Sequence, residues 1–224
     1  MIEAVIFDMD GVIVDTEYLE FSFLKKFIHY LNDGEIHFSD DELSVLVGKS
    51  YQDLYTTISF FTGNKFPNEK IEMLYDEFIT EKFSSIDYLT IFRRDMIKIL
   101  DYCSDRKIKL AVASSSRETH IENILTACKI RDRFDLIVSG ERFLASKPDP
   151  EIYNYTINKL GVSVENIVAI EDSYSGILSA KRANLKVIAY EEKRLPINQS
   201  YADYLAKDML DVYRIINDMA QQAF

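Results

Sequence analysis

Two aspartates that follow an apolar run near the N-terminus are the first residues able to do chemistry. Asp8 and Asp10 come directly after Ala4–Phe7, a short run typical of a buried strand. Residues two apart in a strand face the same side, so both carboxylates could enter one pocket. At about 4 Å and an effective dielectric of about 20 they would repel by about 4 kcal/mol. Either one carboxyl is protonated, or a hard cation such as Mg²⁺ lies between them.

A turn is the simpler interpretation of this Asp-x-Asp-Gly motif, because aspartate and glycine are common turn residues. Taken alone, the motif favours the turn. Further polar clusters favour a ligand site over a simple turn, because they follow other strand-like runs. Ligands bind at the carboxyl edge of open α/β sheets. Those runs are Leu110–Ala113, Leu136–Val138 and Ile167–Ile170.

Serines form the first of these clusters. Ser114, Ser115 and Ser116 precede a helical pattern, so they offer hydroxyl and backbone N–H groups to a phosphoryl oxygen. Helix capping is the alternative role for such residues. We favour capping for Ser116 and a phosphate contact for Ser114, which stands at the strand end.

A lysine and a pair of acids form the other clusters. Lys147 is followed by Pro148 and Pro150, which stiffen the backbone. A single lysine is usually solvated, but one held near an acidic pocket can neutralise its charge. Glu171 and Asp172 stand where a strand turns into a helix, so both can reach a metal ion. We expect Asp172 to ligate directly, and Glu171 directly or through water.

The elements that must position these groups alternate along the chain. Runs rich in Val, Ile, Leu and Ala alternate with helical spacing, which predicts βαβ units and a parallel sheet. The predicted strands are Ala4–Phe7, Leu110–Ala113, Leu136–Val138, Ile167–Ile170 and Val187–Ala189. The predicted helices are Asp95–Arg106, Arg117–Cys128, Asp149–Leu160, one capped by Ser173, and a last one from about Asp208 to Gln221.

A long stretch after the first strand, about Thr16–Tyr88, has helical patterning and no comparable strand run. It is several times longer than a βαβ connection needs. We therefore predict a helical domain at 16–88, inserted into a core formed by 1–15 and 89–224. Its predicted helices are Glu17–Leu31, Asp40–Val47, Tyr51–Phe61 and Asn68–Phe83.

Composition limits the classes of partner. With 224 residues, of which 47% are hydrophobic, the chain can bury a large core. Its net charge of −11 argues against nucleic acid and anionic membranes, which bind basic surfaces. Strand-length apolar pieces and the absence of a signal pattern lead us to expect a cytoplasmic protein. Cys103 and Cys128 lack the spacing of a zinc site and are predicted to be buried thiols.

Four motifs in order, Asp8-Met9-Asp10-Gly11-Val12, Ser114, Lys147 and Glu171-Asp172, resemble the haloacid-dehalogenase superfamily. The resemblance covers nearly the whole chain, and the helical insertion looks like the family's cap domain. The stretches DMDGVIVDTE, KPDPEIY and EDSYSG are especially similar to the branch that holds β-phosphoglucomutase and sugar-phosphate phosphatases. The resemblance implies an α/β fold, a Rossmann-like doubly wound parallel sheet with an inserted α-helical cap.

The resemblance also implies a role for each matching residue. Asp8 would attack phosphorus and form an aspartyl-phosphate, while Asp10 would protonate the leaving oxygen and then deprotonate water. The phosphoryl group would be held by Ser114, Ser115 and Lys147. Mg²⁺ would be bound by Asp8, the backbone carbonyl of Asp10, Glu171 and Asp172.

Two other activities of the superfamily fit the sequence less well. Dehalogenases lack the second acid of the first motif, so Asp10 argues against carbon–halogen chemistry. Phosphonatases use a cap lysine to form a Schiff base. Lys25, Lys26 and Lys49 lie in the insertion, so that alternative stays open.

The insertion bears on the choice between a phosphatase and a mutase. Glu20 stands where β-phosphoglucomutase has a histidine that engages the acid/base aspartate, and Tyr51 stands where it has a phosphate-binding arginine. A mutase must bind a second phosphate, and losing a bidentate guanidinium weakens that binding. Lys49 could replace it as a point charge. The residues predicted to select the substrate are Glu17, Tyr18, Glu20, Lys49 and Tyr51.

We therefore expect a monomeric Mg²⁺-dependent phosphatase that acts on a small phosphorylated metabolite such as a sugar phosphate. A β-phosphoglucomutase-like mutase is the alternative, and an inactive regulatory protein on the same fold is a third possibility. The return from the insertion departs from the family, because Thr90-Ile91-Phe92-Arg93 stands where relatives usually have Pro-Gly. The sequence therefore does not assign the hinge to a particular residue near position 90.

Overall fold

A six-stranded parallel sheet organises the chain, for which the computed structural model describes residues 1–47 and 51–221. The strands are β1 (Ala4–Phe7), β2 (Lys109–Ser114), β3 (Leu136–Ser139), β4 (Ile167–Glu171), β5 (Lys186–Tyr190) and β6 (Tyr204–Ala206). They are ordered β3-β2-β1-β4-β5-β6, and every neighbouring pair is parallel. All the carboxyl ends therefore meet at one edge of the sheet.

The described α-helices connect and surround these strands. They are α1 (Glu17–Leu31), α2 (Asp40–Leu43), α3 (Tyr51–Phe61), α4 (Asn68–Ser84), α5 (Tyr88–Ile91), α6 (Ile97–Asp105), α7 (Glu118–Ala127), α8 (Glu151–Leu160), α9 (Tyr174–Arg182) and α10 (Met209–Gln221). Short 3-10 turns cover Ser44–Leu46, Arg94–Met96, Arg131–Arg133, Gly140–Arg142 and Val164–Asn166.

Both faces of the sheet are covered, which explains the unbroken apolar sequence of β1. Successive strand residues point to opposite faces. Val5 and Phe7 join a core cluster with side chains of α6, α7 and α10, and Ala4 and Ile6 join a second cluster with α8 and α9. All four residues of β1 are buried. A strand buried on both sides needs no polar alternation.

The predicted doubly wound α/β fold is confirmed, and the five predicted strands lie within β1 to β5. The sixth strand was missed. Tyr204–Ala206 is a strand of three residues at the edge of the sheet, with Asp203 before it and Lys207 after it, and two of the three are exposed. The predicted helix Asp40–Val47 is instead the short α2 followed by a 3-10 turn, and α5 was not predicted.

Two compact units make up the chain. The core unit contains Met1–Asp15, Tyr88–Glu192 and the part that begins at Asn198. The helical unit contains Thr16–Asp87 together with Lys193–Ile197, which we call the strap. The assignment of functional domains to 1–15 with 89–224 and to 16–88 stays a prediction.

The helical unit has its own hydrophobic core, in which Phe27, Ile58 and Ile71 are fully buried. Leu195 of the strap is also buried in this cluster. In the turns after α1 and α3, Gly34 and Gly63 adopt positive φ angles of 75° and 65°, which favour glycine. Within residues 1–47 and 51–221, no helix is long and apolar enough to cross a bilayer.

Candidate active site

Three acidic side chains converge at the carboxyl edge of the sheet. Asp8 directly follows β1, and its N–H donates to the carbonyl of Ile170 in β4 (2.9 Å). Glu171 ends β4, and Asp172 follows it. Each of the three acids offers a carboxylate oxygen that lies within 4.8 Å of the other two, and all three residues are buried.

The ammonium group of Lys147 lies among these carboxylates. Nζ donates to Asp8 Oδ1 (2.7 Å), to Glu171 Oε1 (2.7 Å) and to the carbonyl of Ala113 (2.9 Å). Nζ also lies 3.5 Å from the Tyr153 hydroxyl, so four oxygens surround the ammonium. The lysine side chain is only 5% exposed, which leaves water little access to these ion pairs.

The pKa values of both Asp8 and Lys147 are raised, Asp8 mainly by burial and Lys147 by the neighbouring carboxylates. Burial raises the pKa of Asp8 well above its usual range; Lys147 opposes this effect, and Glu171 and Asp10 add to it. Burial opposes the charge of Lys147, but Asp8 and Glu171 outweigh it, so the pKa of the lysine is also raised. The lysine therefore stays protonated, and the acids remain in excess.

A hard divalent cation suits this donor set. Three carboxylates against one ammonium leave an excess of two negative charges when all are ionised. Buried charges are costly unless they are paired or coordinate a metal ion. Oxygen ligands are those that Mg²⁺ prefers. Asp8, Glu171 and Asp172 therefore fit the predicted cation.

Asp10 lies in a tight turn beyond Asp8. The carbonyl of Met9 accepts bonds from the N–H groups of Ile13 (2.8 Å) and Val14 (3.2 Å), which closes the turn. Gly11 has φ of +78°, a left-handed conformation that favours glycine. The motif is thus a turn, as its composition alone suggests, and it also carries the second acid to the site.

Two serines at and just beyond the carboxyl end of β2 contact Asp10. Ser116 Oγ donates to Asp10 Oδ2 (2.8 Å), and Ser114 Oγ makes a long contact of 3.5 Å with the same oxygen. Ser139 Oγ donates to the carbonyl of Ser116 (2.7 Å). Ser115 is exposed beside this group.

The predicted capping role of Ser116 is wrong. The N-cap of α7 is Arg117, and no side chain caps that helix end. The hydroxyl of Ser116 instead faces Asp10, because the chain continues past the strand end before the helix starts. The phosphate contact predicted for Ser114 stays a prediction. By contrast, Ser173 caps α9 as predicted, since its Oγ accepts from the N–H of Gly176 (3.0 Å).

Sequence analysis missed two residues that contact Glu171. The Tyr153 hydroxyl donates to Glu171 Oε1 (2.6 Å), and the ring is fully buried. Burial and then Glu171 raise the pKa of Tyr153 well above its usual range, so it remains a donor. A Cβ on Gly176 would lie 2.0 Å from Glu171 Oε2. Tyr153 lies within the predicted helix Asp149–Leu160, where a tyrosine ordinarily packs on the apolar face, and a single glycine in a helix start gives no signal.

The predicted substrate-selecting residues belong to the helical unit. Glu17 and Glu20 lie in the first turn of α1, where acids stabilise the helix dipole. Tyr18 is 37% exposed, and the Arg194 guanidinium carbon lies 4.8 Å from its ring centroid. Lys49 lies outside the described residues, as does the side chain of Tyr51.

Of the lysines considered for a Schiff base, Lys25 and Lys26 lie beside an acid or an aromatic ring of the helical unit. Lys25 is paired with Asp40 at 2.8 Å and lies 5.2 Å from the ring centroid of Phe21. Lys26 lies 5.7 Å from the ring centroid of Phe23. The two predicted thiols, Cys103 and Cys128, are buried and unbridged.

Comparisons with known proteins agree with these motifs. The sequence model of the haloacid dehalogenase-like hydrolase family matches residues 5–190. The phosphorylated carbohydrates phosphatase of Thermotoga maritima is 30% identical over 195 residues, covering 83% of each chain. The β-phosphoglucomutase of Bacillus subtilis is 34% identical over 191 residues, covering 82% of this chain and 80% of the relative.

Solved structures share the architecture. The β-phosphoglucomutase of Clostridium difficile has a TM-score of 0.74 at 25% identity and covers 98% of this chain and 99% of its own. CbbY from Rhodobacter sphaeroides, solved in complex with phosphate, has a TM-score of 0.69 at 26% identity. The match covers 93% of this chain and 95% of the CbbY chain.

Proposed function

The chain belongs to the haloacid dehalogenase-like hydrolase family, and from that premise we propose that it is a Mg²⁺-dependent phosphatase of small phosphorylated metabolites. Sugar phosphates are the proposed substrate class. The relative from Thermotoga maritima, named a phosphatase of phosphorylated carbohydrates, supports this class. CbbY supports a phosphate-binding site on this architecture.

The observation that carries the proposal is the buried cluster around Asp8. A carboxylate stands at the ligand-binding edge of a parallel sheet, fixed by a lysine and next to two further acids. A second carboxylate, Asp10, lies beside it in the same turn. Phosphoryl transfer needs positioning and electrostatic stabilisation, and these groups supply both.

Asp8 is the proposed nucleophile. Its Oδ1 accepts from Lys147, which fixes the rotation of the carboxylate and leaves the other oxygen for attack. That oxygen forms a bond to phosphorus while the ester P–O bond breaks. The product is an aspartyl-phosphate and an alcohol.

Asp10 is the proposed acid and base. It gives its proton to the departing ester oxygen and then takes a proton from water. The water oxygen attacks phosphorus, the bond from Asp8 to phosphorus breaks, and inorganic phosphate leaves. The hydrogen bond from Ser116 to Asp10 Oδ2 favours one orientation of this carboxylate. Ser114, Ser115 and Lys147 are proposed to hold the phosphoryl oxygens.

A bound Mg²⁺ would supply positive charge that offsets the charge of the phosphoryl group. Asp8, Glu171, Asp172 and the backbone carbonyl of Asp10 would hold it. This assignment rests on the convergence of the three carboxylates and on the excess negative charge that one lysine leaves.

The test is phosphate release from a panel of sugar phosphates, nucleotides and phosphonates, with and without Mg²⁺. We expect Mg²⁺-dependent release from sugar phosphates that is lost in Asp8→Asn. Asp132→Asn, which makes the same change at an exposed site, is the matched control and keeps the activity. Release that persists in Asp8→Asn would contradict the proposed nucleophile.

A phosphosugar mutase is the second candidate, favoured by the 34% identity to a β-phosphoglucomutase. Following sugar isomers in the same assay separates the two activities. Conversion of a sugar 1-phosphate to a 6-phosphate without net phosphate release would establish the mutase. Inactivity on every substrate with intact Mg²⁺ binding would support a regulatory protein instead.

A further inference from the structure

The side chain of Arg93 joins three parts of the core unit. Its guanidinium donates through Nε to the carbonyl of Gly11 (2.9 Å), through Nη1 to the hydroxyl of Tyr190 (2.9 Å) and through Nη2 to Asp15 Oδ1 (3.0 Å). Its central carbon lies 4.0 Å from the Tyr190 ring centroid. Only 15% of the side chain is exposed. A planar group with several fixed donors suits these acceptors, and the single charged point of a lysine does not.

Two of these contacts border places where the chain passes between the units. Asp15 is the last residue before the helical unit, and Tyr190 ends β5 shortly before the strap. Arg93 itself follows the return to the core unit at Tyr88. One guanidinium therefore connects, within the core unit, the segment that ends at Asp15, the segment that begins at Tyr88 and the end of β5. It also lies in the segment where the sequence departs from the Pro-Gly of relatives.

Backbone hydrogen bonds reinforce this arrangement. The N–H of Arg93 donates to the carbonyl of Ile13 (3.0 Å), and the N–H of Asp15 donates to the carbonyl of Ile91 (2.9 Å). The segment that follows Asp10 is thus paired with the segment that carries Arg93. The side-chain bond to Gly11 extends the pairing into the turn itself.

We propose that Arg93 is a positioning residue for Asp10, a role that rests on the proposed function. Its bond to the Gly11 carbonyl holds the turn at the residue directly after Asp10. Ser116 donates a hydrogen bond to the carboxylate of Asp10 itself. Together these contacts place the acid so that it can protonate the departing ester oxygen. Without Arg93 the turn loses this bond to the Gly11 carbonyl, while Asp8 keeps its bond to Lys147.

The experiment compares two phosphate esters that differ in their need for an acid. Phenyl phosphate has a poor leaving group that needs a proton, and 2,4-dinitrophenyl phosphate has a good one that does not. We expect Arg93→Met to lower kcat/KM about 100-fold for phenyl phosphate. For the dinitrophenyl ester, where the acid contributes little, the fall should be less than about threefold. Arg93→Lys should lie between Arg93→Met and the wild type.

Arg94→Met is the matched control, because Arg94 is the neighbouring arginine and is exposed. It should leave kcat/KM unchanged for both esters. An equal fall on both esters in Arg93→Met would overturn the proposal, since general damage to the fold affects both alike. Activity of Arg93→Met equal to that of the wild type would overturn it as well.

Hydrogen exchange of the whole chain gives a second measurement that needs no activity. In Arg93→Met, amides of a peptide covering residues 8–16 should exchange at least about tenfold faster than in Arg94→Met. Unchanged protection would overturn the inference. If the wild type releases phosphate from neither these esters nor the sugar phosphates, the proposed phosphatase fails, and this measurement still decides whether Arg93 holds the turn.

Discussion

At the scale of single residues, the site is a buried charge cluster whose members fix one another. Glu171 Oε1 accepts from both Lys147 and Tyr153, and Asp8 Oδ1 accepts from the same lysine. Removing one member of such a cluster leaves buried polar groups without full compensation. Residues that never contact the substrate therefore contribute to the site.

Tyr153→Phe tests this interdependence. The change keeps the ring and removes the donor to a buried carboxylate, so we expect the free energy of unfolding to fall by about 2 kcal/mol in urea. Tyr155→Phe makes the same change in the same helix at a half-buried position, where the loss should stay below about 1 kcal/mol. Equal losses of unfolding free energy in the two variants would show that the Tyr153 hydroxyl stabilises the fold no more than the Tyr155 hydroxyl does.

Cys103 gives a prediction about pH. Burial raises the pKa of this thiol to about 12 from an ordinary value of 9.0, against the effects of Arg106 and Arg133. The folded chain therefore holds the thiol proton more tightly than the unfolded chain. The resulting stability is complete below about pH 9 and is lost as the pH rises towards 12.

Urea unfolding of the wild type and of Cys103→Ala, under reducing conditions at pH 8 to 10.5, measures this effect. Above about pH 9 the wild type should lose up to about 1.4 kcal/mol per pH unit more than the variant. Other ionising groups are common to both proteins and cancel in the comparison. Identical pH slopes would contradict the prediction.

At the scale of elements, the site depends on how closely a helix start approaches a strand end. α9 begins just after β4, and Gly176 in its first turn lies against the Glu171 carboxylate. Glu171 is also held by Lys147 and Tyr153, so it cannot move away easily. The glycine is required because any side chain there would occupy the space of the carboxylate.

Gly176→Ala should therefore damage stability and cation binding together. A Cβ would lie 2.0 Å from Glu171 Oε2, so we expect a loss of at least about 2 kcal/mol in unfolding free energy. Titration calorimetry should show weakened Mg²⁺ binding. A double-mutant cycle with Glu171→Ala separates the cause, because the alanine should cost much less where the carboxylate is absent. The same cost in both backgrounds would show that the clash is not with Glu171.

At the scale of the whole molecule, the net charge of −11 opposes the approach of an anionic substrate. Salt screens such long-range repulsion over about 10 Å at 0.1 M. The same field favours a divalent cation. The proposed phosphatase thus needs its local lysine and cation to offset the charge of the rest of the chain.

This balance predicts the effect of ionic strength on the enzyme. At saturating Mg²⁺, raising NaCl from about 10 to about 150 mM should lower KM for a sugar phosphate, because screening weakens the repulsion. The chemical step lies in a buried site, so kcat should change little. A KM that rises with salt would show that local positive charge, and not the net charge, governs the encounter.

The sequence by itself determined the sheet and most of the site. Apolar runs buried on both faces identify β1 to β5, and the polar groups that follow them must meet because parallel strands end at one edge. Asp8, Glu171, Asp172 and Lys147 were predicted in this way, and the structure brings them together. Such positions follow from local patterns that each strand carries independently.

Only the tertiary structure decided the contacts that support those residues. Ser116 reaches Asp10, and Tyr153 reaches Glu171, across long separations in the sequence. Arg93 binds Gly11, Asp15 and Tyr190, which also lie far from it in the sequence. A serine before a helix, a tyrosine on an apolar face and an arginine in a loop each have a common local role. Their partners are fixed by the packing of helices on the sheet, which no local pattern specifies.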